Sequence, residues 1–347
     1  MATVQVVSDA RPADAVLAGS RAAVESALRT AVGTLPASLQ RIAGYHLGWQ
    51  DEAGHPCAAG GGKAIRPALA VLAAEAVGGN PAAAVPAAAA VELVHNYSLL
   101  HDDVMDGDRT RRHRRTAWTV FGMGPAILAG DALLTLAFDV LAAGGHLAAA
   151  PDAVRMLSAA VLDLQDGQSA DLAFEACADV ELPEYLRMAA AKTGALLRCA
   201  CVLGARYGGG SAEQVGHLGA FGERLGLAFQ LVDDLLGIWG DPAVTGKPVH
   251  SDLRNRKKSL PVVAALASGT AAGRELAALY RRDRPLSAAE LARAAALADA
   301  AGGLAWCRTR IEELLAEVLD HLRAADPVPR AAAELGALAR LATRRDH

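Results

Sequence analysis

The chain has 347 residues, of which 52% are hydrophobic and 4% are aromatic. This composition predicts a globular protein, and the abundance of alanine and leucine favours helix over sheet, so we expect an all-α fold. The net charge of -4 gives no general attraction to nucleic acid or to anionic membranes. Five scattered cysteines without a CxxC pair argue against a disulfide framework and a zinc site, and they favour a reducing, cytoplasmic location.

The start of the chain differs in pattern from the rest. Residues 1 to 12 are expected to be a flexible leader, after which apolar positions recur at helical spacing through Leu17, Val24 and Leu28. No linker divides the remaining sequence, so a single domain is predicted over 13 to 347. No uninterrupted apolar run reaches the roughly 18 to 20 residues of a membrane span, and we expect a protein that does not span the membrane.

A glycine-rich basic stretch, Gly61-Gly62-Lys63 with Arg66-Pro67, precedes the first aspartate cluster. It is similar to a phosphate-binding loop, although it lacks the GxxxxGK[ST] spacing of a P-loop. Taken alone, this stretch is a weak indication of phosphate binding.

The first aspartate cluster lies in the sequence Leu-Leu-His-Asp-Asp-Val-Met-Asp at 99 to 106. On a helix, Asp102 and Asp106 point to one face, and Asp103 lies about 100° around the axis. Adjacent carboxylates in apolar sequence are costly to bury unless a cation accompanies them, and magnesium prefers oxygen ligands. The alternative is a solvated acidic helix end, which is the commoner interpretation of a single cluster.

A basic run from Arg109 to Arg115 follows the first cluster directly. Such a run alone suggests nucleic acid or a solvated surface. Beside a magnesium-binding cluster it provides what a diphosphate needs, because the guanidinium fork binds phosphate oxygens bidentately. We assign this role to Arg111 and Arg112, and we interpret Arg109, Arg114 and Arg115 as surface residues.

A second aspartate pair, Asp233-Asp234, lies late on a long predicted helix. Ser211 and Gln214 form a capping-box pattern that opens this helix, and the sequence Gly240-Asp-Pro marks its end. Two such clusters in one chain favour magnesium holding a diphosphate over two solvated helix ends.

Together these stretches resemble the trans-isoprenyl diphosphate synthase family, also called the polyprenyl synthetases. The matching positions occur in family order over residues of about 60 to 260. They are Gly61-Gly62-Lys63, Arg66-Pro67, His95, Leu99 to Asp103 with Asp106, Arg111-Arg112, Gly167-Gln168, Asp171-Leu172, Lys192-Thr193-Gly194, Phe229-Gln230, Asp233-Asp234, Gly246-Lys247, Asp252 and Lys257. Taken singly, lysines such as Lys192 and Lys257 are typical of solvent-exposed positions on a protein surface.

The resemblance implies a single-domain helical bundle around a central elongation cavity, with the two aspartate clusters facing each other at its mouth. It implies a homodimer that condenses isopentenyl diphosphate with an allylic prenyl diphosphate, head to tail. The implied cofactor is Mg2+, with about three ions in the substrate complex.

The resemblance also implies a role for each matching residue. The implied magnesium ligands are Asp102, Asp106 and Asp233, and the implied supporting residues are Asp103, Asp171 and Asp234. The implied allylic diphosphate site comprises Arg111, Lys192 and Lys247, and Lys257 is a further implied substrate-binding residue. The implied isopentenyl diphosphate site comprises Lys63, Arg66, His95 and Arg112. Thr193 and Gln230 are oxygen dipoles that stabilise an allylic cation without trapping it.

Two positions depart from the family pattern. Gly237 stands where the second cluster commonly has a third aspartate, and Asp241, one further turn along, is the candidate replacement. His250 occupies a region where the family commonly has glycine. It either donates a hydrogen bond near the diphosphate or is a substitution in a surface loop.

Tyr97 precedes Asp102 by five residues, which is about one and a half helical turns. An aromatic residue here, with no insertion inside the motif from Asp102 to Asp106, resembles the geranylgeranyl-producing type of the family, with the farnesyl-producing type as the near competitor. In that type the residue forms the floor that limits the product tail. The alternative is an ordinary core tyrosine.

Two other functions stay open. A class I terpene cyclase also uses Asp-rich magnesium sites, but it generally needs an Asn/Asp-x-x-Ser/Thr-x-x-x-Glu motif and aromatic residues along the cation path. This chain has Asp233-Asp234 instead, and its aromatic content is low. A non-catalytic regulatory subunit of a prenyl synthase is expected to lose one aspartate cluster, whereas this chain retains both.

Overall fold

The computed structural model describes residues 9–57, 62–144, 150–177, 179–242 and 248–343, and this part of the chain is almost entirely helical. The α-helices are α1 (Ala13–Val32), α2 (Ala37–His46), α3 (Ile65–Ala76), α4 (Val85–Met105), α5 (Ala117–Phe121), α6 (Met123–Ala143), α7 (Ala150–Ala176), α8 (Leu182–Ala189), α9 (Ala195–Tyr207), α10 (Ala212–Trp239), α11 (Ser251–Arg254), α12 (Leu260–Ala267), α13 (Ala271–Tyr280), α14 (Ala288–Ala300), α15 (Gly303–Ala324) and α16 (Pro329–Thr343). A 3-10 turn covers Pro81–Ala84, and a π-helical turn covers Ala190–Gly194. The predicted all-α fold is confirmed.

The predicted capping box marks the start of α10. Gln214 N donates to Ser211 Oγ at 3.2 Å, and Ser211 N donates to Gln214 Oε1 at 3.1 Å. These reciprocal bonds satisfy two of the N–H groups that the first turn of a helix leaves without partners. The predicted start of this helix is therefore confirmed.

The chain divides into two compact units, and the first comprises residues up to Val161, Leu196–Gly222 and His321–Leu338. Helix α4 packs against α1, α3 and α6. Its first half carries a run of alanines, residues 87 to 90, that is fully buried. Small side chains let neighbouring helices approach closely, so this packing fixes the direction of α4 and the position of its last turn.

The second unit comprises Leu162–Ala195, Glu223–Asp320 and the residues from Ala339 onward. Its core contains the fully buried side chains of Tyr185, Leu231, Leu260 and Leu314. The second half of α10 lies in this core, and it carries the second aspartate pair.

The basic run after α4 forms a short antiparallel hairpin of β1 (Thr110–Arg111) and β2 (Arg114–Arg115). Arg112 and His113 form its two-residue turn with positive φ values of 52° and 61°. Positive φ at both turn residues suits the twist of a hairpin, but outside glycine it costs about 1 to 3 kcal/mol each. Backbone strain of this kind is often found where a side chain has to be aimed at a ligand.

Helix α6 and the continuous helical stretch Leu182–Tyr207 are long and apolar enough, by length and composition, to cross a membrane. A core helix of a soluble protein meets the same criteria, and the second stretch is mostly buried. In α6 the apolar sequence is interrupted by Asp131 and Asp139. The absence of a membrane-spanning segment stays a prediction.

Residues 1–8 of the predicted leader lie outside the described part of the chain. Near the end of that leader, Arg11 donates to the buried carboxylate of Glu334, with Nη2 2.6 Å from Oε2 and Nε 2.9 Å from Oε1. A bidentate pair of this kind fixes the chain directly before α1. Any flexible leader therefore ends before Arg11, and the single domain over 13 to 347 stays a prediction.

Candidate active site

The first aspartate cluster occupies the last turn of α4, which ends at Met105. The C-terminal end of a helix carries a partial negative charge, so carboxylates here are unfavourable unless cations accompany them. Asp102 is half-buried and Asp106 is exposed, and both lie on one face of the helix. These two carboxylates are placed to bind a cation that arrives from solvent.

Asp103 faces the protein interior. It is 1% exposed and accepts a hydrogen bond from Arg111 Nε at 2.6 Å. Burial raises the pKa of Asp103 to about 6, against the lowering effect of the Arg111 guanidinium. Asp103 therefore fixes β1 against the end of α4 and holds Arg111 in a single position.

Arg112 reaches a different partner. A Cβ on Gly62 would lie 2.3 Å from Arg112 Nη2, so the Arg112 guanidinium lies directly against Gly62 in the loop before α3, and a side chain at 62 would displace it. Arg21 on α1 donates to the carbonyl oxygen of Gly62. Because Lys63 follows Gly62 directly, two arginines converge on the backbone that carries this lysine.

Arg66 and His95 form the next part of the basic group. Arg66 Nη1 lies 3.3 Å from His95 Nε2. Burial, followed by the charges of Arg66 and Arg112, lowers the pKa of His95 well below its ordinary value. The imidazole is therefore neutral and accepts the Arg66 N–H through Nε2, which leaves the proton on Nδ1.

Sequence reasoning missed three residues beside this basic group: Arg21, His46 and Glu92. Burial raises the pKa of Glu92, and among the charges that oppose burial Arg66 contributes most. Burial, followed by Arg112, lowers the pKa of His46 to about 3. Glu92 lies three residues before His95 on α4, so helical spacing could have indicated it. Arg21 and His46 come from α1 and α2, and no local pattern pointed to either.

Arg114, interpreted from the sequence as a surface residue, is a structural residue. It donates to the carbonyl oxygens of Tyr45 and Gln50, both at 3.0 Å, and its guanidinium lies 4.3 Å from the centre of the Tyr45 ring. Arg109 and Arg115 are exposed, as interpreted. The hairpin is thus attached to α2 through Arg114 and to α4 through Arg111.

In the second aspartate pair, Asp233 is half-buried and Asp234 is 2% exposed. Asp234 accepts hydrogen bonds from the Tyr185 hydroxyl, from Leu260 N at 2.9 Å and from Gln230 Nε2 at 3.1 Å. Burial raises the pKa of Asp234 to about 6. This carboxylate therefore joins α8, α10 and the start of α12 inside the second unit.

Thr193 and Gln230 lie on the same chain of hydrogen bonds. Thr193 Oγ1 donates to Gln230 Oε1 at 2.7 Å, and the Gln230 amide continues to Asp234. Thr193 and Lys192 belong to the π-helical turn, a local widening that is frequent at functional sites. The two predicted cation-stabilising residues are thus in direct contact.

Asp171 forms ion pairs with two lysines that were predicted to bind substrate, Lys192 and Lys257. Its Oδ2 lies 2.6 Å from Lys192 Nζ and 3.6 Å from Lys257 Nζ. Burial raises the pKa of Asp171, but Lys257 and Lys192 outweigh burial and hold it below its ordinary value. Asp171 is therefore ionised at neutral pH and holds both ammonium groups near one point. Lys247, which was predicted together with Lys192 for the allylic diphosphate, lies outside the described residues.

The two departures from the family pattern also have a place in the structure. Asp241 lies beyond the end of α10 at Trp239 and is exposed, so it does not continue the helix face of Gly237. The carboxyl group of Asp252 lies against Gly237 instead. His250 precedes α11 in a left-handed conformation, with φ of 61°, and burial lowers its pKa.

Tyr97 is 7% exposed and lies inside the first unit. Its ring packs edge-on against His101, with 4.7 Å between ring centres. His101 Nε2 in turn lies 3.1 Å from the carbonyl oxygen of Ile127 on α6. The Tyr97 ring is therefore fixed below the first cluster, on the interior side.

The acidic side chains fit magnesium only in combination with a phosphate ligand. Within the described ranges, no group of three His, Cys, Asp or Glu side chains is arranged to hold a metal ion alone. Asp102 and Asp106 in the first unit, and Asp233 in the second, each offer carboxylate oxygens, the donor type that Mg2+ prefers. Mg2+ usually completes its shell with water and substrate phosphates, so each cluster, taken separately, suits a metal that enters together with a diphosphate.

Comparison with known proteins gives a consistent family. The family model described as polyprenyl synthetase matches residues 49–298. A geranylgeranyl diphosphate synthase of Mycobacterium tuberculosis is 47% identical over 322 residues, covering 91% of this chain and 92% of that protein. A (2E,6E)-farnesyl diphosphate synthase of the same strain is 47% identical over 317 residues, covering 90% of this chain and 88% of that protein.

A solved structure gives the same result. The crystal structure of a polyprenyl synthetase from Streptomyces coelicolor A3(2) superposes with a TM-score of 0.89 at 47% sequence identity, covering 94% of this chain and 98% of that one. The two mycobacterial relatives are equally identical to this chain but are named for products of different length. Overall similarity therefore does not decide the product.

Proposed function

The chain belongs to the polyprenyl synthetase family and is a trans-prenyltransferase, and on this basis we propose that it makes geranylgeranyl diphosphate. In this proposal it adds isopentenyl diphosphate to an allylic prenyl diphosphate in a Mg2+-dependent reaction. The observation that carries the choice of product is the buried Tyr97 ring, fixed by His101 below the first aspartate cluster.

The allylic diphosphate is the group that leaves. Bound Mg2+ would neutralise this diphosphate and lower the barrier to forming an allylic cation. Carboxylate oxygens of Asp102 and Asp106 would hold Mg2+ at the first cluster, and those of Asp233 would hold Mg2+ at the second. Lys192 and Lys257 stabilise the same leaving group, because Asp171 keeps both ammonium groups in place before the substrate arrives.

Thr193 and Gln230 face the developing cation in this proposal. Thr193 donates its only hydroxyl hydrogen to Gln230 Oε1, so the lone pairs of Oγ1 remain as the negative end of a fixed dipole. A dipole fixed in this way stabilises positive charge without moving when the charge appears. Neither an amide nor a hydroxyl held in a hydrogen bond is a strong nucleophile, so the cation is not trapped.

Isopentenyl diphosphate binds to the basic group of the first unit. Arg112 lies against Gly62, the residue before Lys63, and Arg66 is held by neutral His95. These donors bind its diphosphate, and its double bond then attacks the allylic cation. The new carbon–carbon bond leaves a second cation, which loses a proton to the released diphosphate to complete the product.

Tyr97 limits how far the product tail extends. The tail grows along α4 away from the acidic cluster, and the aromatic ring about one and a half turns deeper stops it. A farnesyl diphosphate synthase is the second candidate, because a relative with that name is as similar as the geranylgeranyl synthase.

We further propose a cytoplasmic homodimer. Helix α6 exposes Met123 and Leu128, which are 55% and 59% exposed. Large exposed apolar side chains on a long apolar helix favour self-association, because burial between two copies removes them from water.

The direct test is a product assay with purified protein, MgCl2, radiolabelled isopentenyl diphosphate and one allylic primer at a time. Dimethylallyl, geranyl and farnesyl diphosphate are each expected to give geranylgeranyl diphosphate as the final product by chromatography. Accumulation of farnesyl diphosphate would favour the second candidate. A cyclic hydrocarbon from one prenyl diphosphate, or no elongated product, would contradict the proposal.

A further inference from the structure

The backbone before Lys63 accepts a hydrogen bond from a distant helix. Arg21 on α1 donates through Nη2 to the carbonyl oxygen of Gly62, a residue 41 positions later in the chain. Helix α1 packs against α3 and α4, which brings this arginine to the start of α3. The Gly62 oxygen belongs to the planar peptide unit that joins Gly62 to Lys63, so the bond fixes the orientation of that unit.

The residues around Lys63 restrict its backbone further. A Cβ on Gly62 would lie 2.8 Å from Arg112 Cζ, so the Arg112 guanidinium packs directly against the glycine. Ala64, the residue after Lys63, is left-handed with φ of 53°, a conformation that is uncommon outside glycine. Lys63 therefore lies between a peptide unit that Arg21 holds and a sharp turn into α3.

The charge of Arg21 acts on the same basic group. Burial raises the pKa of the Glu92 carboxyl, and the charges that oppose burial are those of Arg66, Arg112 and Arg21. All four residues belong to the first unit. Arg21 is thus close enough to the proposed isopentenyl diphosphate site to affect the protonation of a carboxyl group inside it.

We propose that Arg21 is a positioning residue of the isopentenyl diphosphate site and that it acts by holding the Gly62–Lys63 peptide unit. The inference rests on the proposed function of this basic group. A lysine whose backbone is already fixed loses less conformational freedom when its ammonium group binds a diphosphate, so affinity is higher. Helix α1 therefore contributes to a site whose other residues come from the region of α3 and α4 and from the hairpin.

The first test titrates the protein with isopentenyl diphosphate in EDTA by isothermal titration calorimetry. Without Mg2+ the acidic clusters do not attract a diphosphate, so the titration favours the basic group. Arg21→Ala is expected to weaken binding by about 10-fold, a usual effect of losing one hydrogen bond from a charged group. Arg21→Lys keeps a charge and a donor and is expected to recover part of this loss. Arg29→Ala removes an exposed arginine of the same helix, and it should bind as the unmodified protein does.

A double-variant cycle tests whether Arg21 acts through Lys63. Lys63→Met removes the ammonium group and keeps most of the side-chain length. Because Arg21 then has no lysine to position, adding Arg21→Ala to Lys63→Met is expected to weaken binding by less than about 2-fold further. Fully additive losses would show that Arg21 acts independently of Lys63, and they would overturn the positioning role.

Steady-state kinetics separate this role from a general loss of structure. In Arg21→Ala, KM for isopentenyl diphosphate is expected to rise about 10-fold, while KM for farnesyl diphosphate and kcat stay within about 2-fold of the unmodified protein. Circular dichroism and thermal melting show whether the variant is folded. An equal rise in both KM values would overturn the inference.

Undiminished binding of isopentenyl diphosphate by folded Arg21→Ala would also overturn the inference, and it would leave the proposed function intact. Failure of the proposed function gives a different result. The unmodified protein would then bind no isopentenyl diphosphate in EDTA and would form no elongated product, which would overturn both.

Discussion

The two acidic clusters have the same pattern of burial, but their buried aspartates have different hydrogen-bond partners. In each pair the first residue, Asp102 or Asp233, is half-buried, and we call these the outer aspartates. The second residue, Asp103 or Asp234, is buried, with a pKa of about 6, and we call these the inner aspartates. Asp103 is held by the charge of an arginine, whereas Asp234 is held by uncharged donors.

This difference shows that the same Asp-Asp pair can be anchored either by a charged side chain or by a network of uncharged donors. The partner of Asp103 is Arg111, which is itself a proposed diphosphate-binding residue. The partners of Asp234 include Tyr185 and the backbone of Leu260, both in the core of the second unit. We therefore expect the first inner aspartate to affect function more than stability, and the second to affect both.

The largest expected effect is on the outer aspartates. Asp102→Asn and Asp233→Asn each remove a negative charge that the metal requires, and we expect the rate of product formation to fall by about 1,000-fold. Melting temperature should change little, since neither residue is fully buried. Asp163→Asn, an exposed residue on α7, is the matched control. An unchanged rate of product formation in either outer variant would contradict a metal-binding role for both outer aspartates.

Substitutions of the two inner aspartates should lower the free energy of unfolding by different amounts. Asp234→Ala leaves the Tyr185 hydroxyl, Leu260 N and Gln230 amide without their acceptor, and we expect a loss of about 3 kcal/mol in the free energy of unfolding. Asp103→Ala should cost less, because the Arg111 side chain is 26% exposed and can be hydrated.

Urea denaturation of both variants measures this difference. Tyr185→Phe is a useful control, since it removes one donor to Asp234 and is expected to cost about 1 kcal/mol. An equal or larger loss in Asp103→Ala would show that the charged pair, not the uncharged network, is the stronger anchor.

The inner aspartates also predict a pH dependence of stability. Both have a folded pKa of about 6 against an ordinary value of 3.8, so the folded state binds their protons more tightly than the unfolded state. Their contribution to stability is therefore complete below about pH 4 and is lost as pH rises to about 6. Asp234→Asn, which does not titrate, should show a shallower decline in urea midpoints over this range. An unchanged slope would contradict the raised pKa of Asp234.

The smallest expected change in the rate of product formation is for Tyr97, which lies below the first cluster. Tyr97→Ala removes the ring below Asp102 and should lengthen the product by about one or more isoprene units with little loss of total activity. Chromatography of dephosphorylated products measures the change. Leu100→Met, a volume-conserving change at another buried position of α4, is the control. An unaltered product distribution in Tyr97→Ala would identify Tyr97 as an ordinary core residue.

Local pattern was enough to predict an all-α fold, the start of α10 and the position of the first acidic cluster on a helix. The capping box at Ser211 and Gln214 located the start of α10, and the spacing of Asp102 and Asp106 placed them on one face. These features depend on residues within one helix, so periodicity and capping rules apply to them directly.

Contacts between segments that are distant in the chain could not be predicted from local sequence pattern. The bond from Tyr185 to Asp234 spans 49 residues, and the contact of Gly237 with Asp252 joins a helix to a later segment. The hairpin was also missed, because its turn is Arg112-His113 rather than the usual glycine-containing pair. The sequence therefore pointed to Asp241 as the candidate replacement for a third aspartate, whereas the structure has Asp241 beyond the end of α10 and the Asp252 carboxyl group against Gly237.

The central claim is that both acidic clusters act through magnesium on a diphosphate. The most direct measurement is product formation by EDTA-treated, dialysed protein from farnesyl and isopentenyl diphosphate, followed as MgCl2 is restored. We expect no product in EDTA, full recovery with MgCl2, and no recovery with either Asp102→Asn or Asp233→Asn at the same MgCl2 concentrations. Product formation at the full rate in excess EDTA would contradict the account.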